Sequence, residues 1–388
     1  MMRIGLITGE YPPMRGGIAA HCRTLAHHLT DAGHHVAIFS DQQALSDDPR
    51  IPLQMLDGRW RWNSYRQLND WAQRERLDVV NLHFQTAAFQ MSPFIHFLPD
   101  RVKAAPVITT FHDLRFPYLF PKAGPLRNWI VRRLARASAG VMATNHEDYA
   151  ELETMSRCAT LIPIGSGVQP ELPEGYQRQA WRDRARSEEK TLLVAYFGFI
   201  NRSKGVETLL HAVRMLADAG LPIRLLMIGD RTGSSDPTNA AYAQEIDRLI
   251  AELNLGPILH WTGFVDDREV AAYLAASDVV ALPFLDGASY RRSSLMVALA
   301  QGGAVITTKP SVSIPAFHDQ QNMMLVQSGT VPALAAALQV LYRDQELRER
   351  LRNGAVGLQS EFSWDHITQA HIDFYKRVLS GCADRSER

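Results

Sequence analysis

The sequence predicts an α/β protein made of two doubly wound, Rossmann-like domains facing each other across a cleft. Three observations carry this. Short apolar runs alternate with longer amphipathic stretches, the signature of strands and crossover helices in a parallel sheet. The pattern lapses mid-chain into a charged stretch without strands and then restarts. The chain, at 388 residues, exceeds one typical domain and suits two of about 150–200 residues each.

In chain order, Arg3–Thr8 is an apolar run of the kind buried on both faces of a sheet. Gly9–Gly17 is a loop, and Ile18–Ala32 has helical apolar spacing and stops at Gly33, a C-terminal cap. His35–Ser40 is the next strand, which completes a β-loop-α-β unit. Further strands are expected at Val79–His83, Pro106–Thr110, Gly140–Thr144 and Thr160–Ile164. Residues 169–191 are charged, hold two prolines and read as a linker, placed at 171–191, with at most a short helix. The pattern resumes with a strand at Leu192–Gly198, a helix at Gly205–Ala219, a strand at Ile223–Gly229 and a helix at Asn239–Leu253. Strands follow at Ile258–Thr262, Val279–Pro283 and Ala304–Thr308, and an amphipathic helix at Ser363–Leu379 opens on Ser363 as its cap. The domains are accordingly 1–170, joined by the returning helix 363–379, and 192–362. In such sheets ligands sit beyond the carboxyl ends of the strands.

Composition excludes several classes. Lys plus Arg equals Asp plus Glu, 41 against 41, so the chain has no charge excess for nucleic acid. Cys22, Cys158 and Cys382 are scattered without a CxxC pair, which argues against a disulfide framework and against a structural zinc site. No apolar run approaches the roughly 18–20 residues that span a bilayer. MMRIGLITGEYPP does not have the build of a signal peptide, so the expected compartment is the cytoplasm.

Four segments carry chemistry. In GEYPPMRGGIAAH, Gly16 and Gly17 lie between a strand end and a helix start, where a backbone can approach a ligand and helix N–H groups meet an anion. A plain strand-to-helix turn reads equally well. In FGFINRSKGVETLLHA, Arg202 and Lys204 occupy a short loop before a helix, where two cations suit a diphosphate and a solvated basic turn is the other reading. In PFLDGASYRRSSLMVALAQGGAVITT, Ser289, Arg291, Arg292, Ser293 and Ser294 gather at the start of a helix at Ser293–Gln301. Adjacent arginines oppose the helix dipole there, and a bound anion reverses that cost. VITTFHDL ends a strand in His112-Asp113, with His112 either reaching the cleft or serving as a structural histidine. His83, which ends VVNLH, carries the same two readings. No HExxH spacing and no D-x-D pair occurs, so no metal is expected.

Together these segments resemble the GT-B glycosyltransferases, specifically the large retaining family 4, over nearly the whole chain. The likeness rests on EYPPMRGGIAAH with LAHHLTDAGHHV and on VITTFHD in the first domain. In the second it rests on FGFINRSKG, LLMIGD, LHWTGFV, YLAASDVVALPF and ALAQGGAVITT. The resemblance implies transfer of a hexose from a nucleotide-diphosphate sugar to a glycan or lipid-linked acceptor, with retention. It implies no cofactor beyond the donor co-substrate. Gly16 and Gly17 would approach the donor diphosphate or the acceptor, and His112 would contact the transferred sugar. Arg202 and Lys204 would neutralise the leaving diphosphate without a metal. Gly263, Phe264 and Val265 would lie by the nucleobase, and the last helix would cross back onto the first domain.

The chain departs from the family pattern at the third segment. The usual glutamates, eight positions apart, correspond to Ser289 and Val297. Asp286 is the candidate stand-in for the first glutamate, and Arg291, Arg292 and Ser293 for a different phosphate grip. Phe199 replaces a common arginine. A second reading follows, a catalytically weak or inactive GT-B scaffold acting as a binding partner. A phosphorylase or epimerase is a third, and the epimerase lacks an identifiable acid/base pair. Residues 91–136 hold eight cations against Asp100 and Asp113, with aromatics between them. An anionic membrane surface at its inner face and a solvated basic helix explain that stretch equally well.

Overall fold

The structure is a computed structural model that describes residues 1–14, 16–114, 125–231 and 238–382. Met1–Gly165 and the C-terminal stretch from Ser363 form one compact unit, and Ser166–Phe362 forms the other.

The sheet of the first unit contains β1 (Arg3–Thr8), β2 (His35–Ser40), β3 (Leu53–Met55), β4 (Val79–Phe84), β5 (Val107–Phe111), β6 (Gly140–Ala143) and β7 (Ala159–Leu161). All pairings are parallel, in the order β3-β2-β1-β4-β5-β6-β7. The apolar, β-branched runs follow from this, because crossover helices cover both faces. Those helices are α1 (Gly17–Asp31), α2 (Ser64–Arg74), α3 (Leu98–Arg101), α4 (Pro125–Ala137) and α5 (His146–Leu152). Every residue of β4 is buried. Its polar Asn81 is satisfied in place: Thr110 Oγ1 donates to it at 2.9 Å, and its own Nδ2 donates to the Tyr375 hydroxyl at 2.8 Å. Along α1, Ile18, Cys22, Leu25, Ala26 and Leu29 form the buried stripe, and the helix stops before Gly33, whose φ is +83°.

The second unit repeats the plan with β8 (Leu192–Phe197), β9 (Ile223–Ile228), β10 (Leu259–Trp261), β11 (Val279–Leu282), β12 (Val305–Thr308) and β13 (Met324–Val326), ordered β10-β9-β8-β11-β12-β13. Its helices are α6 (Arg178–Arg184), α7 (Val206–Asp218), α8 (Thr238–Glu252), α9 (Asp267–Ala276), α10 (Ser293–Ala300), α11 (Val331–Arg343) and α12 (Gln345–Phe362). The stretch read as a linker carries α6 within this unit. Arg182 is fully buried there, paired with Asp278 at 2.9 Å and donating to the carbonyls of Glu188 and Thr191. Trp181 packs edge-on to Tyr273.

The last helix, α13 (Trp364–Leu379), belongs to the first unit. Ser363 caps it by accepting from the His366 amide at 3.2 Å, and Ile367, Phe374 and Tyr375 are buried. Burial of each such side chain contributes about 1.5–3 kcal/mol. Beyond the helix, Cys382 is bonded to Cys158, 224 residues away, with a Cα–Cα separation of 6.0 Å. This corrects the expectation of no disulfide. Spacing along the chain hides the pair, because only the returning helix brings Cys382 beside the start of β7. Cys22 is free and buried. Among the described residues, no helix is long and apolar enough to cross a membrane.

In each sheet one strand lies between neighbours reached by opposite crossovers. That strand is β1, between β2 and β4, in the first unit, and β8, between β9 and β11, in the second. The loops beyond the carboxyl ends of these strands are where ligands bind in open α/β sheets.

Candidate active site

In the second unit two loops meet at this place. Beyond β8, Arg202–Lys204 form a short 3-10 turn, and α7 starts on Gly205 in the left-handed region at φ +67°. A Cβ on Gly205 would stand 2.0 Å from the Pro283 carbonyl oxygen, so the turn seats directly on the end of β11. The Leu285 amide donates to the Ser203 carbonyl at 2.8 Å. Arg292, at the start of α10, reaches back to Ser203 Oγ at 3.2 Å and lies over the Phe284 ring at 4.8 Å. Ser294 is buried, and its Cβ lies 3.6 Å from where a Cβ on Gly198 would be.

Lys204 is the chemical centre of this cluster. Its Nζ donates to the Phe199 carbonyl at 2.6 Å. Burial, with the Arg292 guanidinium adding to it, lowers its pKa to about 7. A desolvated cation whose charged form is disfavoured gains strongly from an anion. The first N–H groups of α7 and α10 add donors, since neither helix has a side-chain cap.

The other residues marked by sequence are distributed around this centre. Asp286 pairs with both Arg291, at 2.8 Å, and Arg292, so it offsets part of the charge of the arginine pair. Ser289 accepts from the Arg292 amide through its carbonyl at 3.0 Å. Ser293 is exposed at the first position of α10. Val297 is buried on α10. Arg202 points elsewhere: it is exposed, bonded to Glu245 at 2.5 Å and lying over the Tyr242 ring at 5.1 Å. The cation beside Lys204 is Arg292, at the place where the reading from local sequence put Arg202. Gly263, at φ +69°, lines a cavity of about 620 Å³ with Asp230, Arg231, Trp261 and Thr262. Trp261 Nε1 donates to the Gly229 carbonyl at 2.7 Å, and Arg231 stacks over the indole at 4.6 Å. Phe264 follows as an exposed aromatic and Val265 is half-buried.

In the first unit, Gly16 precedes α1 in extended conformation, and Gly17 is the first residue of that helix. A Cβ on Gly16 would meet Glu10 Oε2 at 2.6 Å. A side chain at this position would displace the end of the buried Glu10 side chain, whose carboxyl pKa is raised by desolvation. Glu10, beside Gly16, is a candidate that the sequence reading passed over. His112 follows β5, with its amide donating to the Phe84 carbonyl at 3.1 Å. Its Nε2 lies 3.1 Å from His83 Nδ1, and His21 packs edge-on to it. Burial lowers the pKa of His112 to about 4, with His371 adding to the shift. His21 and His83 are held well below the usual imidazole range by burial first and neighbouring histidines second. These partners come from α1 and β4, so no local motif could reveal them.

The basic stretch 91–136 spends part of its charge internally. Arg133 pairs with Asp100 at 2.6 Å and covers the Phe97 ring, and Arg101 lies over Trp62. Arg115 and Lys122 fall outside the described residues.

Two Rossmann-like units of this topology define the GT-B class. Comparison with known proteins agrees. The family described as Glycosyltransferase Family 4 matches residues 15–170, and Glycosyl transferases group 1 matches residues 177–356. Among curated relatives, phosphatidyl-myo-inositol mannosyltransferase of Mycolicibacterium smegmatis is 24% identical, over 100% of this chain and 98% of its own. The MMP alpha-(1->4)-mannosyltransferase of Mycolicibacterium hassiacum is 25% identical, over 98% of this chain and 100% of its own. Among solved structures, sucrose-phosphate synthase from Thermosynechococcus elongatus superposes with a TM-score of 0.79 at 20% identity, covering 98% of this chain and 100% of that one. HepE of Anabaena in complex with UDP gives 0.77 at 16% identity, over 97% of this chain and 100% of that one. The chain belongs to the GT-B glycosyltransferases of the family 4 type.

Proposed function

We propose that the protein transfers a hexose from a nucleotide-diphosphate sugar to a glycan or lipid-linked acceptor, with retention of configuration. The observation that carries this is the Lys204 cluster. A half-buried lysine, a second cation in Arg292 and two helix starts gather at the carboxyl ends of β8 and β11. As the bond from the sugar to the diphosphate breaks, negative charge grows on the departing phosphate. Fixed cations and N–H dipoles in a desolvated pocket stabilise that charge, which is electrostatic catalysis. In this reading the side chains of Lys204 and Arg292 meet the diphosphate, and Arg202, engaged by Glu245, stands aside. The cavity at Gly263 and Trp261 takes the nucleobase, and His112 contacts the sugar.

The relatives support the substrate classes. Two are named as mannosyltransferases, one of them acting on a phosphatidyl-inositol, and HepE has been solved with UDP-glucose. A second reading, a scaffold that binds without turnover, draws on Ser289 and buried Val297 standing where the family has acids. A thermal-shift screen of the whole chain against UDP, GDP and ADP separates the two. A bound nucleotide raises the melting temperature by mass action, and the proposal expects one base to do so. No shift with any of them at millimolar concentration contradicts the proposal.

A further inference from the structure

The first unit contains a cluster of imidazoles that the donor reading leaves largely unused. His21 lies on α1, His83 at the end of β4, His112 just beyond β5, and His371 on α13. The ring centres of His21, His83 and His112 form a nearly equilateral triangle with sides of 5.6, 5.2 and 5.4 Å. One nitrogen from each of the three rings lies within 4.8 Å of the others.

Two further observations point to a ligand. His21 is 6% exposed and His83 fully buried. Both nitrogens of His21 and Nε2 of His83 are buried without a hydrogen-bond partner. Buried polar atoms left in that state are costly, and clusters of them mark a missing partner. The second observation is that His83 Nδ1 and His112 Nε2 lie 3.1 Å apart, where one neutral ring can donate to the other and where an ion can replace that shared proton.

We infer that His21, His83 and His112 form a binding site for one divalent transition-metal ion of the zinc class. The geometry fits. An ion holding three imidazoles tetrahedrally at about 2.0–2.1 Å places its ligand nitrogens about 3.3 Å apart and the ring centres about 5.2 Å apart. An all-nitrogen set selects zinc, cobalt or nickel over magnesium and calcium, which take oxygen. Three protein ligands leave the fourth position to a water or a substrate hydroxyl, the arrangement of open zinc sites. The Nδ1 of His371 is tied to the Ile367 carbonyl at 2.8 Å, and its ring centre lies 6.4 Å from that of His21, so it closes the back of the cluster. The inference rests on residues of the first unit alone and shares only His112 with the transferase proposal, and its test reads metal uptake and not nucleotide binding.

The test uses the full chain, freed of any tag and stripped with a chelator, titrated with Zn2+ in competition with a chromophoric chelator. The expected result is one Zn2+ per chain at micromolar affinity or tighter, with no competition from Mg2+. His21→Ala and His83→Ala should each weaken it by roughly tenfold or more. Substituting the exposed His318 and His366 by alanine should leave it unchanged. Absence of saturable uptake, or uptake that survives His21→Ala and His83→Ala together, overturns the inference. If those variants fail to fold, the visible spectrum of the wild-type chain with Co2+ decides. Intense tetrahedral bands support the site, and the weak spectrum of octahedral cobalt overturns it. Nucleotide binding is read separately, so failure here leaves the transferase proposal intact.

Discussion

Lys204 concentrates the chemistry of the second unit, and its environment makes a pH-dependent prediction. Its pKa of about 7 in the folded chain lies far below its ordinary value of 10.5. Between those values the unfolded chain binds more protons, so this residue makes the ligand-free protein more stable as pH rises from 7. Diphosphate has the opposite preference, favouring the charged amine. Nucleotide-diphosphate binding should therefore take up a proton above pH 7 and weaken as pH rises further. Calorimetry in buffers of different ionisation enthalpy checks this, and a proton count of zero at pH 8 refutes it. Lys204→Ala and Arg292→Ala should each cost about 1–3 kcal/mol of nucleotide-diphosphate affinity, as for a charged hydrogen bond. Arg202→Ala should cost less, because its guanidinium is engaged by Glu245. Equal losses for Arg202→Ala and Arg292→Ala, measured by the same titration, would restore the assignment read from the loop sequence. Lys204 was legible in the sequence because strand, loop and helix follow one another within a few residues. Arg292's role was only half legible, since its partner Ser203 lies 89 residues away.

At the scale of elements, the central strands were readable and the edges only in part: β7 and β10 were read, and β3 and β13 were not. Strands such as β1, β4 and β8 are apolar runs because both faces are covered. The three-residue edge strands β3 and β13 are only partly buried and carry no such signal. Likewise 171–191 looked like a charged linker, although Arg182 is buried on the ion pair with Asp278. Two devices fix the site's elements. Gly205→Ala puts a side chain into a left-handed backbone and against the Pro283 carbonyl. It should destabilise the second unit by about 1–3 kcal/mol from strain alone, read by urea denaturation, and loosen nucleotide binding. A fully stable variant would show that the turn does not seat on β11. The Cys158–Cys382 bond ties the end of α13 to the start of β7. Cys158→Ser should lower stability by about 2–5 kcal/mol, measured by the same denaturation against the oxidised chain. No difference between the two would show that the bond contributes nothing to the first unit.

At the scale of the whole molecule, the repeat of one plan was the most legible feature. Two doubly wound sheets in succession predict the GT-B class, and the family matches along both halves confirm it. The chemistry that escaped the sequence arises where several elements meet, such as Glu10 beside Gly16 and the meeting of His21 with His83 and His112. Their partners are brought together only by the fold. The central claim is glycosyl transfer driven by the Lys204 cluster. It is tested most directly by mass-spectrometric assay of the wild-type chain and Lys204→Ala with a panel of nucleotide-sugars, with and without lipid-linked acceptors. The account predicts release of nucleoside diphosphate from one donor by the wild type and a large loss of that rate in Lys204→Ala. Turnover by Lys204→Ala at the wild-type rate, or no donor consumed by the wild type across the panel, would contradict it.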